Sequence, residues 1–298
     1  MPDLADKSIV ITGGSSGIGA ATAIECARAG MDCVLVARRR DRLAEVAAEV
    51  ARLGRRAELV ACDIADPRSS EAILDAAERA FGGFHAVFAN AGYGLERDVL
   101  ATPIDEMRRM FEVNFFSGAD LLQQAARRLI AAERPGHLLM CSSCVAKFTL
   151  PRHGAYSATK AAQAMVARAM RSELAHHGIE VSTVHPVTTT TEFFEVAAGE
   201  DRRHLRNGIP PHVPALFVQK PDRIGKAVVR CLRRPHPEVW TSHVVRLVAG
   251  AFTAFPSLQE WVMRGEARKY RARDARTSAS KPPPATKNGI PSGESFGG

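Results

Sequence analysis

The sequence predicts an α/β fold built on a doubly wound parallel sheet. Three observations carry this reading. Short apolar runs recur near residues 8–12, 33–37, 57–61, 85–89, 137–142 and 180–185. Segments with helical periodicity lie between them. The first run passes through a glycine-rich turn straight into an alanine-rich helix. Strands separated by helices pair in parallel, because a parallel pair needs a crossover connection.

The first strand is Ser8-Ile9-Val10-Ile11-Thr12, a buried apolar run. It leads into Gly13-Gly14-Ser15-Ser16-Gly17-Ile18-Gly19 and a helix reaching about Gly30. Strand, glycine turn and helix N-terminus form a geometry that binds a dinucleotide pyrophosphate. Glycines admit the backbone to the phosphates, and the helix dipole favours their charge. The spacing is Gly-x-x-x-Gly-x-Gly, not the more general Gly-x-Gly-x-x-Gly. Gly13, Ser15, Ser16, Gly17, Ile18 and Gly19 are the candidate phosphate-side residues.

The second strand ends Val34-Leu35-Val36-Ala37 and is followed by Arg38-Arg39-Arg40, with no carboxylate before Asp41. A ribose 2′-hydroxyl calls for an acidic residue here, and a 2′-phosphate calls for arginine. Arg38 and Arg39 suit a phosphate-bearing adenosine, by pairing and by stacking. The expected cofactor is therefore NADP(H), with NAD(H) as the alternative. The competing reading is a solvated basic turn, with Asp41 capping the next helix.

The third strand leads into Cys62-Asp63-Ile64, where Asp63 is also placed to cap a turn. The fourth leads into Asn90-Ala91-Gly92. The fifth, Leu138-Leu139-Met140-Cys141, precedes Ser142 and Ser143, and the sixth, Val181-Ser182-Thr183-Val184, precedes Pro186. In open α/β sheets ligands lie beyond the carboxyl ends of the strands. Gly13, Asn90, Ser143 and Pro186 all fall at that edge.

Between the fifth and sixth strands, Tyr156 and Lys160 stand four apart at the head of a helical stretch. That spacing puts a phenol and an ammonium on one helix face. A free phenol, with a pKa near ~10, is a poor proton donor at neutral pH. A Lys⁺ about 4–5 Å away, at an effective dielectric of roughly 20, favours the phenolate by about 3–4 kcal/mol. The pair is thus expected to act as an acid/base near neutral pH.

Thr12-Gly13-x-x-x-Gly17-Ile18-Gly19, Asn90-Ala91-Gly92, Asn114, Ser143 thirteen residues before Tyr156, and Lys160 resemble the short-chain dehydrogenase/reductase family. The match in order and spacing runs from about residue 5 to residue 195. It implies a Rossmann-type domain over residues 1–240, with about seven parallel strands and a substrate-binding loop at 192–220. It implies hydride transfer between a nicotinamide and a carbonyl or secondary alcohol. Tyr156 is the implied acid/base. Lys160 lowers its pKa and holds the nicotinamide ribose, and Ser143 donates to the substrate oxygen. The backbone of Asn114 holds a water between Lys160 and solvent. Asp63 and Ile64 are placed at the adenine, Asn90, Ala91 and Gly92 at the adenine ribose, and Pro186, Thr189 and Thr191 at the nicotinamide. The thirteen-residue spacing selects Ser143 over Ser142. One residue departs from the family pattern: Val187 stands where glycine usually follows the proline, and it is expected to narrow that corner. The family also assembles through helices at 103–131 and 155–177. Both are alanine-rich here, so a homodimer or homotetramer is expected.

The 298 residues carry a formal net charge of +8. From Arg264 onward there are eight Lys/Arg and three Asp/Glu, so much of the excess lies outside the enzyme body. Residues 241–273 read as an apolar and basic helical extension, and 274–298 as a low-complexity, disordered tail. The apolar run Val244–Phe255 is interrupted by Arg246 and ended by Pro256, too short to span a bilayer. Trp261 and the basic run Arg268-Lys269-Tyr270-Arg271 follow it. Apolar beside basic is a pattern for peripheral membrane contact; a helix packed over the substrate pocket is the other reading. Nothing in the chain reads nucleic-acid bases, so no specific nucleic-acid partner is expected.

Met1-Pro2-Asp3 leads almost directly into the first strand, so no signal peptide is expected. With six cysteines, that points to a reducing, cytoplasmic setting. Cys141 and Cys144 have no second pair at zinc spacing, and the ten histidines show no ligand spacing, so no metal is expected. Phe193, Phe194, Phe217 and Val218, with Phe148 and Tyr93, suggest a hydrophobic substrate such as a steroid, retinoid or lipid carbonyl. A non-catalytic dinucleotide-binding regulator or membrane-surface scaffold is the competing class. Against it, Asn114, Ser143, Tyr156 and Lys160 are all present.

Overall fold

The computed structural model describes residues 3–190 and 217–279, with side chains as far as Arg271. Thr191, Phe193, Phe194 and most of the 192–220 loop lie outside these. Seven strands form one parallel sheet: β1 (Ser8–Thr12), β2 (Asp32–Ala37), β3 (Ala57–Ala61), β4 (Ala86–Ala89), β5 (Gly136–Cys141), β6 (Ile179–His185) and β7 (Glu238–Trp240). Their spatial order is β3-β2-β1-β4-β5-β6-β7. The chain reverses direction across the sheet between β1 and β4, so a crevice opens at the carboxyl ends there.

The helices are α1 (Gly17–Arg28), α2 (Arg40–Arg52), α3 (Ser69–Phe81), α4 (Ile104–Phe111), α5 (Ser117–Ala131), α6 (Gly154–Leu174), α7 (Pro221–Arg233), α8 (His243–Ala254) and α9 (Pro256–Ala279). Alternate strand residues face opposite sides, which produces two cores. Ile9, Ile11, Leu35, Phe88, Leu139 and Val184 pack under α1, α2 and α7. Val10, Val34, Val87, Leu138, Met140 and Val181 pack under α3, α5 and α6. The strands are apolar on both faces, as a doubly covered parallel sheet requires.

Three elements differ from the sequence reading. The helix expected over 103–131 is interrupted: a π-helical turn, Glu112–Phe116, joins α4 to α5 and contains Asn114. The helix expected over 155–177 ends at Leu174, and a 3₁₀ turn, Ala175–His177, closes at Gly178 with φ +69°. The C-terminal extension is two helices, and α9 continues past residue 273 to Ala279. Residues 280–298 lie outside the described part. No helix among the described residues is long and apolar enough to cross a membrane.

Candidate active site

The glycine turn is fixed by close backbone approach. Gly13 has φ +68°, and a Cβ there would lie 2.9 Å from Asn90 Nδ2. At Gly19 a Cβ would lie 2.1 Å from the Gly13 carbonyl oxygen, so only glycine lets α1 start where it does. Thr12 ties the turn to β4. Its Oγ1 accepts from the amides of Asn90 and Ala91, both at 3.0 Å, and Asn90 Nδ2 donates to its carbonyl at 2.9 Å. The first turn of α1 holds no acidic residue, and no side chain caps it. These are the conditions under which helix amides receive an anion.

Arg38 and Arg39 follow β2 at the same edge, and Arg39 Nη2 donates to Ser16 Oγ at 3.2 Å. Asp63 does cap its turn: Oδ1 accepts from the Ala65 amide at 3.0 Å. Its Oδ2 pairs with Arg109 Nη2 of α4 at 3.0 Å. That amide bond, then Arg109 and Arg38, hold the Asp63 carboxyl below its ordinary pKa, against a smaller opposing effect of burial. Arg109 thus adds a third guanidinium to the end of the site that holds Arg38 and Arg39, one the sequence reading missed.

At the other end, Ser143, Tyr156 and Lys160 come together. Ser143 and Tyr156 both line the cavity, and the Ser143 hydroxyl acts to lower the phenol's pKa. Ser142 Oγ instead donates to the Lys160 carbonyl at 2.8 Å, a structural bond. Lys160 Nζ donates to the Cys141 carbonyl at 2.8 Å and sits 5.5 Å from the centroid of the Tyr156 ring. This corrects the expectation for the tyrosine. Burial pushes the Tyr156 phenol above its ordinary value, nearby Cys141 adds to the rise, and the Ser143 hydroxyl offsets only part of it. Burial also lowers the Lys160 pKa. The ammonium is itself desolvated and directed at a carbonyl, so desolvation outweighs its pull on the phenol.

Asn114 is buried in the π turn. Its amide exchanges two bonds with Tyr93, receiving the backbone N–H and donating to the carbonyl, both at 2.9 Å. This fixes the loop after β4. The Asn114 carbonyl, expected to hold a water, accepts from Gln163 Nε2; a carbonyl has a second lone pair. Val187 is buried and is not at positive φ, so this corner does not require glycine for backbone conformation.

Behind Ser143 lies a network that the sequence did not announce. His185 Nδ1 is 2.9 Å from the Ser143 carbonyl oxygen. A carbonyl only accepts, so Nδ1 carries the hydrogen, and Nε2 accepts from Thr183 Oγ1 at 2.9 Å. The ring stacks on Trp240 at 4.6 Å. Trp240 Nε1 donates to Glu238, which also pairs with Lys147 at 2.7 Å and Arg168 at 2.9 Å. Burial lowers the His185 pKa to about 4, so the ring is neutral at pH 7.

The glycine turn, the arginines and the Ser143–Tyr156–Lys160 group border a cavity of about 720 Å³. Gly13, Ser15, Ser16, Gly17, Ile18, Arg38, Arg39, Asp63, Ile64, Asn90, Ala91 and Gly92 line one part of it. Ser143, Tyr156, Lys160, Pro186 and Thr189 line the other. Gly19 and Asn114 stand behind the wall. Apolar side chains complete the second part: Val113, Val145, Phe148, Leu150 and Val187. Cys144 also borders it, but burial raises its thiol to about 11, so it is not a thiolate at neutral pH.

A family model described as short chain dehydrogenase matches residues 7–201. The chain belongs to the short-chain dehydrogenase/reductase family. That makes it an oxidoreductase of the CH–OH/C=O type with a nicotinamide cofactor. One relative is a dehydrogenase/reductase SDR family protein 7-like of Drosophila melanogaster, 28% identical over 272 residues, covering 89% of this chain and 82% of the fly protein. A second is 1-deoxy-11-beta-hydroxypentalenate dehydrogenase of Streptomyces exfoliatus, 33% identical, covering 61% of this chain and 67% of that one. Against the probable oxidoreductase EphD of Mycobacterium tuberculosis the identity is 29%, and the match spans 40% of that protein's length. Among solved structures, an alcohol dehydrogenase of the archaeon Thermococcus sibiricus complexed with 5-hydroxy-NADP superposes with TM-score 0.67 at 28% identity, covering 78% of this chain and 95% of that one. A short chain dehydrogenase of Mycobacterium paratuberculosis bound to NAD shares the fold, with TM-score 0.69 at 23% identity, covering 80% of this chain and 97% of its own.

Proposed function

We propose that this protein is an NADP(H)-dependent carbonyl reductase or alcohol dehydrogenase acting on an apolar substrate, with Tyr156 as the acid/base. The observation that carries it is a cavity with arginines at one end and Ser143, Tyr156 and Lys160 together at the other. The glycine turn and the uncapped α1 would hold the pyrophosphate. Arg38 and Arg39 would hold the 2′-phosphate, and Arg109 would bring a further positive charge to that end. When bound, the nicotinamide supplies or accepts the hydride.

In the reducing direction Tyr156 gives its proton to the carbonyl oxygen, and Ser143 donates a hydrogen bond to that oxygen as charge develops. A proton then returns to Tyr156. An ammonium has three donors, and Cys141 takes one, so Lys160 can also meet ribose hydroxyls. Val145, Phe148, Leu150 and Val187 favour a substrate whose bulk is hydrocarbon. Leu100, Ile104, Phe116 and Met165 are exposed along α4 to α6 and support assembly as a homodimer or homotetramer.

The test is titration with NADPH and NADH followed by fluorescence, on wild type and on an Arg38→Ala/Arg39→Ala variant, then a screen of apolar ketones and aldehydes. NADPH is expected to bind at least about tenfold tighter than NADH, and the double variant to lose that preference. A preference for NADH in the wild type would overturn the arginine argument. Cofactor binding without turnover across the panel would favour the regulator reading.

A further inference from the structure

The C-terminal helices have two faces. Inward, α8 buries Ala249 and Phe252, and Phe252 meets Phe148 of the cavity wall edge to face at 5.6 Å. α9 buries Tyr270, whose ring lies 5.8 Å from the guanidinium carbon of Arg152. Outward, the surface is apolar. Val244, Leu247 and Val248 stand at i, i+3 and i+4 and are 55%, 74% and 41% exposed. The stripe passes through Phe255 at the turn, 65% exposed, to Leu258 and Trp261 of α9, at 42% and 75%. Exposed apolar residues scattered singly are ordinary; six along one run are not.

The charge around the stripe says what covers it. From His243 to Arg271 there are five basic residues, Arg246, Arg264, Arg268, Lys269 and Arg271, and two acidic ones, Glu260 and Glu266. Both carboxylates are matched within α9, Glu260 by Arg264 at 2.5 Å and Glu266 by Lys269 at 2.6 Å. The segment is left net positive. On α9, Leu258, Trp261 and Arg268 share one face. A two-fold contact with a second copy would set this positive stripe against itself. Anionic headgroups complement it, and tryptophan and arginine beside apolar side chains suit the headgroup level.

We propose that the outer face of α8 and α9 docks on an anionic lipid bilayer. The apolar stripe enters the boundary between headgroups and acyl chains, and the arginines meet lipid phosphates. The cavity wall at Phe148 lies about one helix diameter, ~10 Å, inward from that face. This docking does not depend on the reaction proposed above.

The test uses the full chain, sedimented with phosphatidylcholine vesicles with and without phosphatidylserine, at low and high salt. Two variants accompany it, Leu247→Glu/Trp261→Glu and Arg246→Glu/Arg268→Glu. Wild type is expected to sediment with the anionic vesicles only, and less at high salt. Affinity should fall about tenfold or more in the apolar variant and at least about fivefold per reversed charge in the basic one. NADPH titration of the same preparations shows that the variants are folded. Should NADPH fail to bind any of them while vesicle binding holds, the cofactor reading fails and the docking stands. No binding to anionic vesicles, or equal binding by both variants, overturns the docking. So does a sedimentation-velocity result in which the apolar variant dissociates a dimer that vesicles do not recruit; the stripe would then belong to a second copy.

Discussion

Tyr156 takes its place from the helix start, but its proton affinity comes from its surroundings. Burial, with a smaller push from Cys141, raises the phenol above its ordinary pKa, so it is expected to be protonated at neutral pH. An absorbance titration comparing wild type with Tyr156→Phe should show no extra tyrosinate below pH about 10, and Lys160→Met should leave that unchanged. Early ionisation that disappears in Lys160→Met would restore the view that the ammonium dominates. Tyr156→Phe should lower kcat by about 10²–10⁴-fold with NADPH affinity retained. His185 acts one step further back, as a positioning residue through the Ser143 carbonyl. His185→Leu removes that donor and should lower kcat about tenfold while leaving the NADPH Kd within about twofold. Equal losses in kcat and cofactor binding would mean general disorder of the site instead. The contrast shows what was legible at this scale. Ser143, Tyr156 and Lys160 are separated by fixed sequence intervals, which a motif records. His185 reaches Ser143 from the neighbouring strand, and Arg109 reaches Asp63 from forty-six residues away, so no spacing announces either.

The same logic governs the elements. The six long strands were legible because an apolar run covered on both sides has few other readings. β7 has only three residues, Glu238-Val239-Trp240, and exists because it pairs with Thr183, Val184 and His185 of β6. The π turn at Asn114 was not legible either: Val113, Asn114, Phe115 and Phe116 are weaker helix formers, but no residue type marks a wider turn. The fold does fix one helix pair by a single residue. Gly225 of α7 faces α1 so closely that a Cβ would lie 2.9 Å from the Ala21 carbonyl oxygen. The neighbour is backbone, so α1 and α7 must part to admit a methyl. Gly225→Ala should therefore destabilise by about 1–3 kcal/mol, read as a lower urea midpoint with unchanged slope. A neutral or stabilising result, as expected for glycine to alanine in an open helix, would show that the two helices are not held at this distance.

At the level of the whole molecule, buried titratable groups shape the response to acid. Burial lowers His137 to about 3 and His185 to about 4. His137 Nε2 lies 2.9 Å from Ser182 Oγ, which gives its own proton to the His236 carbonyl, so Nε2 carries the hydrogen. Its Nδ1 is buried with no partner, an atom that protonation would charge in an apolar setting. Both folded values lie below the ordinary 6.5. The unfolded chain therefore binds more protons as pH falls. Their contribution is complete above pH 6.5 and is lost on descent towards the folded values, with a slope of up to about 1.4 kcal/mol per pH unit for each histidine. Glu238 enters later. Burial opposes its ionisation, but the bonds from Lys147 and Trp240 and the nearby positive charges hold it at about 2, below the ordinary 4.5. Its contribution persists down to pH 4.5 and fades below. The histidine and Glu238 contributions begin at different pH values and separate by mutation. His137→Gln should flatten the decline in urea midpoint from pH 6.5 down to about 3, whereas Glu238→Gln should alter the pH dependence only below pH 4.5. A wild-type midpoint that is flat from pH 6.5 to 4 would mean that these histidines gain protons in the folded state, and the packing around β5 and β6 would have to be looser than the sheet described above.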